Sequence, residues 1–207
     1  MAWWTDHVLP RIVDKALGTA DVLPMRERTC AGLHGDVLEI GFGSGLNSAY
    51  YPEAVRSVCA VEPSDGGWRL AQKRLGDTTA TVERCGLDAQ RLAAADASFD
   101  AALSTFTMCT VPDLDAALAE ILRVLKPGGR LHFVEHGRAP DADVARWQDR
   151  LQPIQYRLAG GCHLNRPIAE LIAASGLAID EIDRFYDGGP KVLSHIYLGV
   201  ATKEEDR

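Results

Sequence analysis

The segment Val37-Leu38-Glu39-Ile40-Gly41-Phe42-Gly43-Ser44-Gly45-Leu46-Asn47 constrains the fold more than any other. An apolar run long enough for one strand meets three glycines at alternate positions, and a helical pattern begins at Leu46. Glycine turns the backbone through positive φ at little steric cost and has no side chain to hold a ligand away. A strand entering such a loop and leaving into a helix is the opening unit of an open α/β sheet. In these sheets ligands sit at the carboxyl ends of the strands.

The rest of the chain repeats the alternation. Apolar runs at 37–40, 58–61, 80–84, 101–103 and 131–134 predict strands, and helical stretches at 46–51, 67–75 and 114–125 separate them. The last stretch puts Leu114, Ala117, Leu118, Ile121, Leu122 and Leu125 on one face. Short apolar runs alternating with helices imply βαβ units and a mostly parallel sheet. Lys126-Pro127-Gly128-Gly129 stops the helix before it, and a strand should restart at Arg130. Two helical patterns, 3–17 and 22–33, precede the first strand. Helices at 144–158, interrupted or kinked near Pro153, and at 166–174 follow the fifth, with Asn165 expected to cap the latter. Strands at 178–185 and 194–202 close the chain, joined by 186–193.

Composition excludes several functions. The chain has 207 residues and a formal net charge of −7. Nucleic-acid affinity rests on clustered Lys and Arg, so no nucleic-acid partner is expected. The five cysteines, Cys30, Cys59, Cys85, Cys109 and Cys162, are odd in number and contain no CxxC pair. A disulfide framework and a zinc finger both fit this poorly, and Cys59 reads as a small buried hydrophobe. A reducing cytoplasm suits free thiols best. No secretory signal pattern opens the chain, and no stretch approaches the roughly 20 apolar residues of a membrane span.

The glycine spacing is Gly-x-Gly-x-Gly, with Leu46 where a dinucleotide fingerprint needs a further glycine. Glu39 lies just before the glycines. A carboxylate there repels a pyrophosphate and suits a ligand with an ammonium group. S-adenosylmethionine has an amino-acid tail and no phosphate. Glu62, followed by Pro63, ends the second apolar run, about 20 residues past the loop. That is the position from which an acidic side chain holds ribose hydroxyls; the alternative is a solvated strand end. Asp88, followed by Ala89, lies in the turn after the third strand. It is placed either to meet an adenine amino group or merely to cap the turn. Asp100 precedes an apolar strand and reads as structural.

These elements, with Ser98-Phe99-Asp100 and Leu122-Arg123-Val124-Leu125-Lys126-Pro127-Gly128-Gly129, resemble the class I S-adenosylmethionine-dependent methyltransferase superfamily from about residue 37 to 202. The resemblance implies a Rossmann-like sheet of seven strands with helices on both faces and the last strand antiparallel. It implies a cofactor site of Glu39, Gly41, Phe42, Gly43, Gly45, Asn47, Glu62, Pro63, Asp88, Ala89, Ser104 and Thr105. A closer resemblance is carried by Tyr50-Tyr51-Pro52, Thr107-Met108-Cys109-Thr110-Val111, Glu135-His136, Gly161-Cys162-His163-Leu164-Asn165 and His195-Ile196-Tyr197-Leu198-Gly199. These look like the methyltransferase-like group of thiol methyltransferases, and also like bacterial quinone and phospholipid methyltransferases.

The expected acceptor is a small apolar molecule, possibly a thiol. The alternatives are a lipid or quinone acceptor methylated on N or C, and a non-catalytic cofactor-binding protein. An NAD-dependent oxidoreductase is disfavoured by Glu39 and Leu46. His136, at the end of the fifth strand, is a candidate base or substrate contact, and equally a structural histidine. His195 is a weaker candidate. Cys162-His163 has too few neighbouring ligands in sequence for a metal, so none is expected. We read one domain over 1–207: a helical lid (1–33), a cofactor-binding half (34–135) and a substrate-side half (136–207). Trp3, Trp4, Val8, Leu9 and the 138–165 segment, with Trp147, Leu151, Ile154 and Tyr156, are expected to cover the acceptor.

Overall fold

Seven strands form one sheet in the order β3-β2-β1-β4-β5-β7-β6. The strands are β1 (Gly35–Ile40), β2 (Val55–Val61), β3 (Thr81–Gly86), β4 (Phe99–Thr105), β5 (Leu125–His136), β6 (Leu177–Tyr186) and β7 (His195–Lys203). The helices are α1 (Leu9–Leu17), α2 (Leu23–Cys30), α3 (Asp65–Ala71), α4 (Leu114–Val124), α5 (Ala142–Leu158) and α6 (Ile168–Ala174). The computed structural model describes residues 7–205; Trp3 and Trp4 lie outside them. Strands β1 to β5 pair in parallel, and β7 runs antiparallel to β5 and β6, as the family resemblance implies.

The two central strands are buried on both faces, which is why they read as continuous apolar runs. Leu38, Ile40, Leu118, Ile121, Leu131 and Phe133 pack one side of the sheet. Val37, Val58, Ala101 and Leu103 pack the other. Helix α4 supplies Leu114, Ala117, Leu118 and Ile121 from the face that its periodicity marked, and Val124 beside them. Asp113 caps it by accepting from the Ala116 amide at 3.0 Å. Asp100 is structural, accepting from the Asp36 amide at 2.8 Å and from Lys126 at 2.5 Å.

Several local expectations change. After the glycine loop there is no α-helix over 46–51, only a 3-10 turn at Ser48–Tyr50. Pro52 disfavours helical geometry in the residue before it, and Tyr51 is extended at φ −66°, ψ 127°. Lys126 to Gly129 form a bulge inside β5, because the pairing with β4 jumps from Phe99–Leu125 to Ala101–Arg130. Helix α5 is not interrupted and continues through Pro153. Asn165 does not cap α6: Pro167 holds that position, and the Asn165 amide donates to Asp149 at 2.8 Å. Cys59 is not a free thiol. It is joined to Cys85 across β2 and β3, with Cα atoms 5.4 Å apart. These two cysteines, 26 residues apart in sequence, meet on neighbouring strands.

Candidate active site

The glycine loop leaves β1 at the carboxyl edge of the sheet. Gly41, Gly43 and Gly45 all have positive φ, at 68°, 57° and 74°. They serve different ends. A Cβ on Gly41 would lie 2.0 Å from the Thr107 hydroxyl and 2.6 Å from its Cβ, so Gly41 is there for packing. At Gly43 the nearest atom to an added Cβ is the Gly41 carbonyl oxygen at 3.8 Å. That space is open, as close ligand approach requires. Phe42 points inward and packs near Trp68, with ring centroids 5.5 Å apart.

Two buried carboxylates hold the loop. Glu62 accepts from the Gly43 amide at 2.6 Å and from the Ser64 amide at 2.7 Å. Burial pushes its pKa up against the pull of these amides. Each oxygen keeps a further lone pair for a ligand hydroxyl. Pro63 beside it is exposed. Glu39 is buried beneath the loop and accepts from Asn47 at 2.9 Å and from the Tyr51 hydroxyl. Burial raises its pKa to about 7, although Tyr51, Asn47 and Arg26 all favour the charged form.

The network continues into α2. Buried Arg26 donates from Nη1 to Asn47 at 2.8 Å and to the Thr105 hydroxyl at 3.0 Å, and Asn47 also donates to Thr105 at 3.0 Å. Ser104 donates to Glu135 at 2.6 Å. The structure therefore gathers Glu39, Asn47 and Thr105 directly, with Ser104 alongside. Asp88 and Ala89 lie apart, after β3. Asp88 is exposed and accepts from the backbone and side-chain amides of Gln90 at 2.9 and 2.8 Å, the turn-capping arrangement.

Sequence reasoning missed Arg26, Tyr51 as a ligand of Glu39, and Glu135. Glu135 is fully buried, and its Oε2 finds no hydrogen-bond partner among the described residues. An arginine inside a short helical stretch carries no signal of burial. Phe106, after β4, stands at φ 54°, a left-handed conformation unusual for an aromatic residue. The Arg26 guanidinium lies over its ring at 5.6 Å.

Beside this network is a pocket of about 580 Å³. Its walls come from the end of α1 (Ala16, Leu17), the following turn (Val22), Phe106, His136, the β6–β7 connection (Leu193) and the start of β7 (Ile196). Asp21 and Asp187 are exposed and also line it. Helix α1 reaches the glycine loop too: the Ser44 hydroxyl donates to Asp14 at 2.6 Å, and Arg74 pairs with Asp14 at 2.8 Å. Helix α1 lends Ala16 and Leu17 to the pocket wall, while Val8 and Leu9 of the expected cover do not line it and Trp3 and Trp4 lie outside the described residues. The other wall is not the 138–165 segment. Trp147, Ile154 and Tyr156 are half exposed and line no part of this pocket, because α5 turns that face outward.

His136 lies 3.0 Å from the Cys162 sulfur. Burial works against its charged form, yet the Cys162 hydrogen bond and charge outweigh it and raise the pKa. The Cys109 hydrogen bond, then His136, hold Cys162 well below the ordinary thiol range. His195 does not line the pocket. It is buried edge-on between Tyr186 and Tyr197, at centroid distances of 5.2 and 4.9 Å, and burial lowers its pKa.

A strand-loop unit with open space at its middle glycine and a buried acid on the next strand is accompanied by a match of residues 38–133 to a family model described as a methyltransferase domain. Those residues resemble a methyltransferase domain. The chain is 33% identical over 136 residues to a thiol S-methyltransferase of Rattus norvegicus, covering 63% of this chain and 54% of that one. It is 34% identical over 132 residues to a demethylmenaquinone methyltransferase of Thermobifida fusca (strain YX), covering 63% and 52%. The chain spans about half the length of these curated relatives. Its fold matches an S-adenosylmethionine-dependent methyltransferase from Mesorhizobium loti with a TM-score of 0.65 at 19% identity, over 90% of this chain and 99% of that one. The methyltransferase domain and fold imply S-adenosylmethionine as cofactor, and the open space at Gly43 and the lone pairs of Glu62 fit that group. Among the described residues no helix is long and apolar enough to cross a membrane.

Proposed function

We propose that this methyltransferase domain transfers a methyl group to a small, apolar, uncharged acceptor, a thiol. The pocket beside the glycine loop carries the reading. Leu17, Val22, Phe106, Leu193 and Ile196 give it apolar walls, and Asp21 and Asp187 disfavour an anionic acceptor. When bound, S-adenosylmethionine supplies an electrophilic methyl group on a positively charged sulfur. The chain's own work is then to hold, desolvate and orient. Glu62 would hold the ribose, with the loop amides and the Glu39 network holding the amino-acid end. Asp88, after β3, would accept from the adenine amino group. A thiol, with a pKa of about 8.5, needs little base assistance. His136 lines the pocket wall and would contact the acceptor. The relative named as a thiol S-methyltransferase supports this acceptor class.

A second reading, a quinone acceptor, is favoured by the aromatic wall at Phe106 and by the relative named as a demethylmenaquinone methyltransferase. Labelled methyl transfer to a panel of small thiols, isoprenoid quinones and lipids separates them. The expected result is label on thiols. Label confined to quinones selects the second reading. Tight S-adenosylhomocysteine binding without transfer to any acceptor would select a non-catalytic cofactor-binding protein.

A further inference from the structure

Three chain segments remote in sequence bring soft ligands together at the carboxyl edge of the sheet. Cys109 comes from the turn after β4, His136 from the end of β5 and Cys162 from the loop after α5. One ligand atom from each lies within 4.8 Å of the others. Both cysteines are buried, at 2% and 4% exposure. We propose that Cys109, His136 and Cys162 form a zinc site on the wall of the pocket that His136 lines.

The donor set and its spacing carry the proposal. Two thiolates and one imidazole with a fourth position left open are an established donor set of catalytic zinc. A tetrahedral ion with bonds of about 2.3 Å to sulfur and about 2.0 Å to nitrogen separates its ligand atoms by about 3.5–3.8 Å. The His136–Cys162 separation of 3.0 Å and the outer limit of 4.8 Å bracket those values, so small movements admit the ion. The charges also balance. Two thiolates neutralise a divalent ion.

The cysteine loop is built to hold a fixed position. Gly160 and Gly161, both at positive φ, reverse the chain before Cys162. The His163 amide donates to the Cys109 carbonyl at 2.8 Å, tying the two cysteine segments together. Gln152 accepts from the Leu164 amide at 2.7 Å and donates to the Cys162 carbonyl at 3.4 Å. Outer contacts of this kind set ligand orientation in metal sites. The site does not depend on the acceptor being a thiol.

The test uses the full chain in a C59S/C85S background, which removes the other cysteine pair. The protein is stripped with chelator under reductant and titrated with cobalt(II), whose thiolate charge-transfer absorption reports sulfur ligation, and then with zinc in competition. One equivalent of cobalt with that absorption, displaced by zinc, is expected. C109S or C162S should lose the absorption and weaken zinc binding by more than roughly 100-fold, the upper end of what losing even an outer-sphere partner costs. H136A should keep sulfur ligation with weaker affinity. S-adenosylhomocysteine binding by calorimetry shows that each variant remains folded. Absence of stoichiometric cobalt uptake, or uptake unchanged in C109S and C162S, overturns the proposal. Conversion of Cys109 and Cys162 to a disulfide in air, with no metal retained after reduction, also overturns it.

Discussion

Gly41 and Gly43 share a strand end and a positive φ, yet the structure assigns them opposite consequences on substitution. Alanine at either position pays the left-handed penalty of about 1–2 kcal/mol. At Gly43 that is the whole folding cost, because the added Cβ meets nothing closer than 3.8 Å. In a domain of this size it corresponds to a fall in Tm of roughly 2–8 °C. At Gly41 the new atom would lie 2.0 Å from the Thr107 hydroxyl and 2.6 Å from its Cβ. Rotating the side chain does not relieve a clash with Cβ, so backbone must shift, adding about 1–3 kcal/mol of overpacking. Ligand affinity should rank the other way. The Gly43 Cβ fills the space that a ligand needs, and Gly43→Ala should weaken S-adenosylhomocysteine binding by at least about tenfold, equivalent to 1.4 kcal/mol. Thermal unfolding paired with titration calorimetry measures both quantities. A Gly43→Ala protein that binds with wild-type affinity removes the loop centre from the cofactor site. A Gly41→Ala protein no less stable than Gly43→Ala refutes the packing argument.

Glu62→Ala should cost about 1.5–3 kcal/mol of cofactor binding, the range for hydrogen bonds to a charged group; an unchanged Kd by calorimetry would exclude a ribose role. Glu39 has a folded pKa of about 7, raised above the ordinary carboxyl value. Its contribution to stability is therefore present at low pH and is lost as pH rises through about 7. Glu39→Gln should remove a loss on the order of 2–4 kcal/mol between about pH 4.5 and 7.5. Denaturant unfolding at several pH values checks this, and parallel curves for the two proteins would show that Glu39 does not titrate there. Deleting residues 1–20 should leave the domain folded, since α1 buries no residue, but raise the acceptor KM. Full acceptor turnover at wild-type KM in the truncated chain would exclude α1 from the acceptor site.

The cofactor half was legible because its signals are local. The strand, the glycine loop and Glu62 follow one another within 30 residues, and the physics linking them is backbone conformation, which glycine announces directly. The number of strands and the antiparallel last strand came through the family resemblance. The short helix expected after the loop does not form for an equally local reason: Pro52 keeps Tyr51 extended. Asn165 had the composition of a cap without the neighbours to act as one, and Asp149 took its side chain instead.

What stayed hidden was built by convergence. Arg26 reads as a surface residue of a short helix until α2 is laid against β5, where its guanidinium meets Asn47 and Thr105, 21 and 79 positions away. Cys59 and Cys85, 26 residues apart in sequence, meet only once β2 and β3 pair. Cys162 next to His163 looked short of metal ligands because its neighbours in space are Cys109 and His136. The same distinction separates the two halves of the active site. A cofactor common to many acceptors can be held by backbone turns and two acids, and such a site leaves a motif. The pocket proposed for the acceptor is assembled from α1, the turn to α2, Phe106, His136, the β6–β7 connection and the start of β7. These pieces are spread from residue 16 to residue 196, so its shape follows from how they pack together. Asp14 is the joint between the pocket and the glycine loop: through Ser44 and Arg74 it ties α1, one pocket wall, to the loop proposed to hold the cofactor.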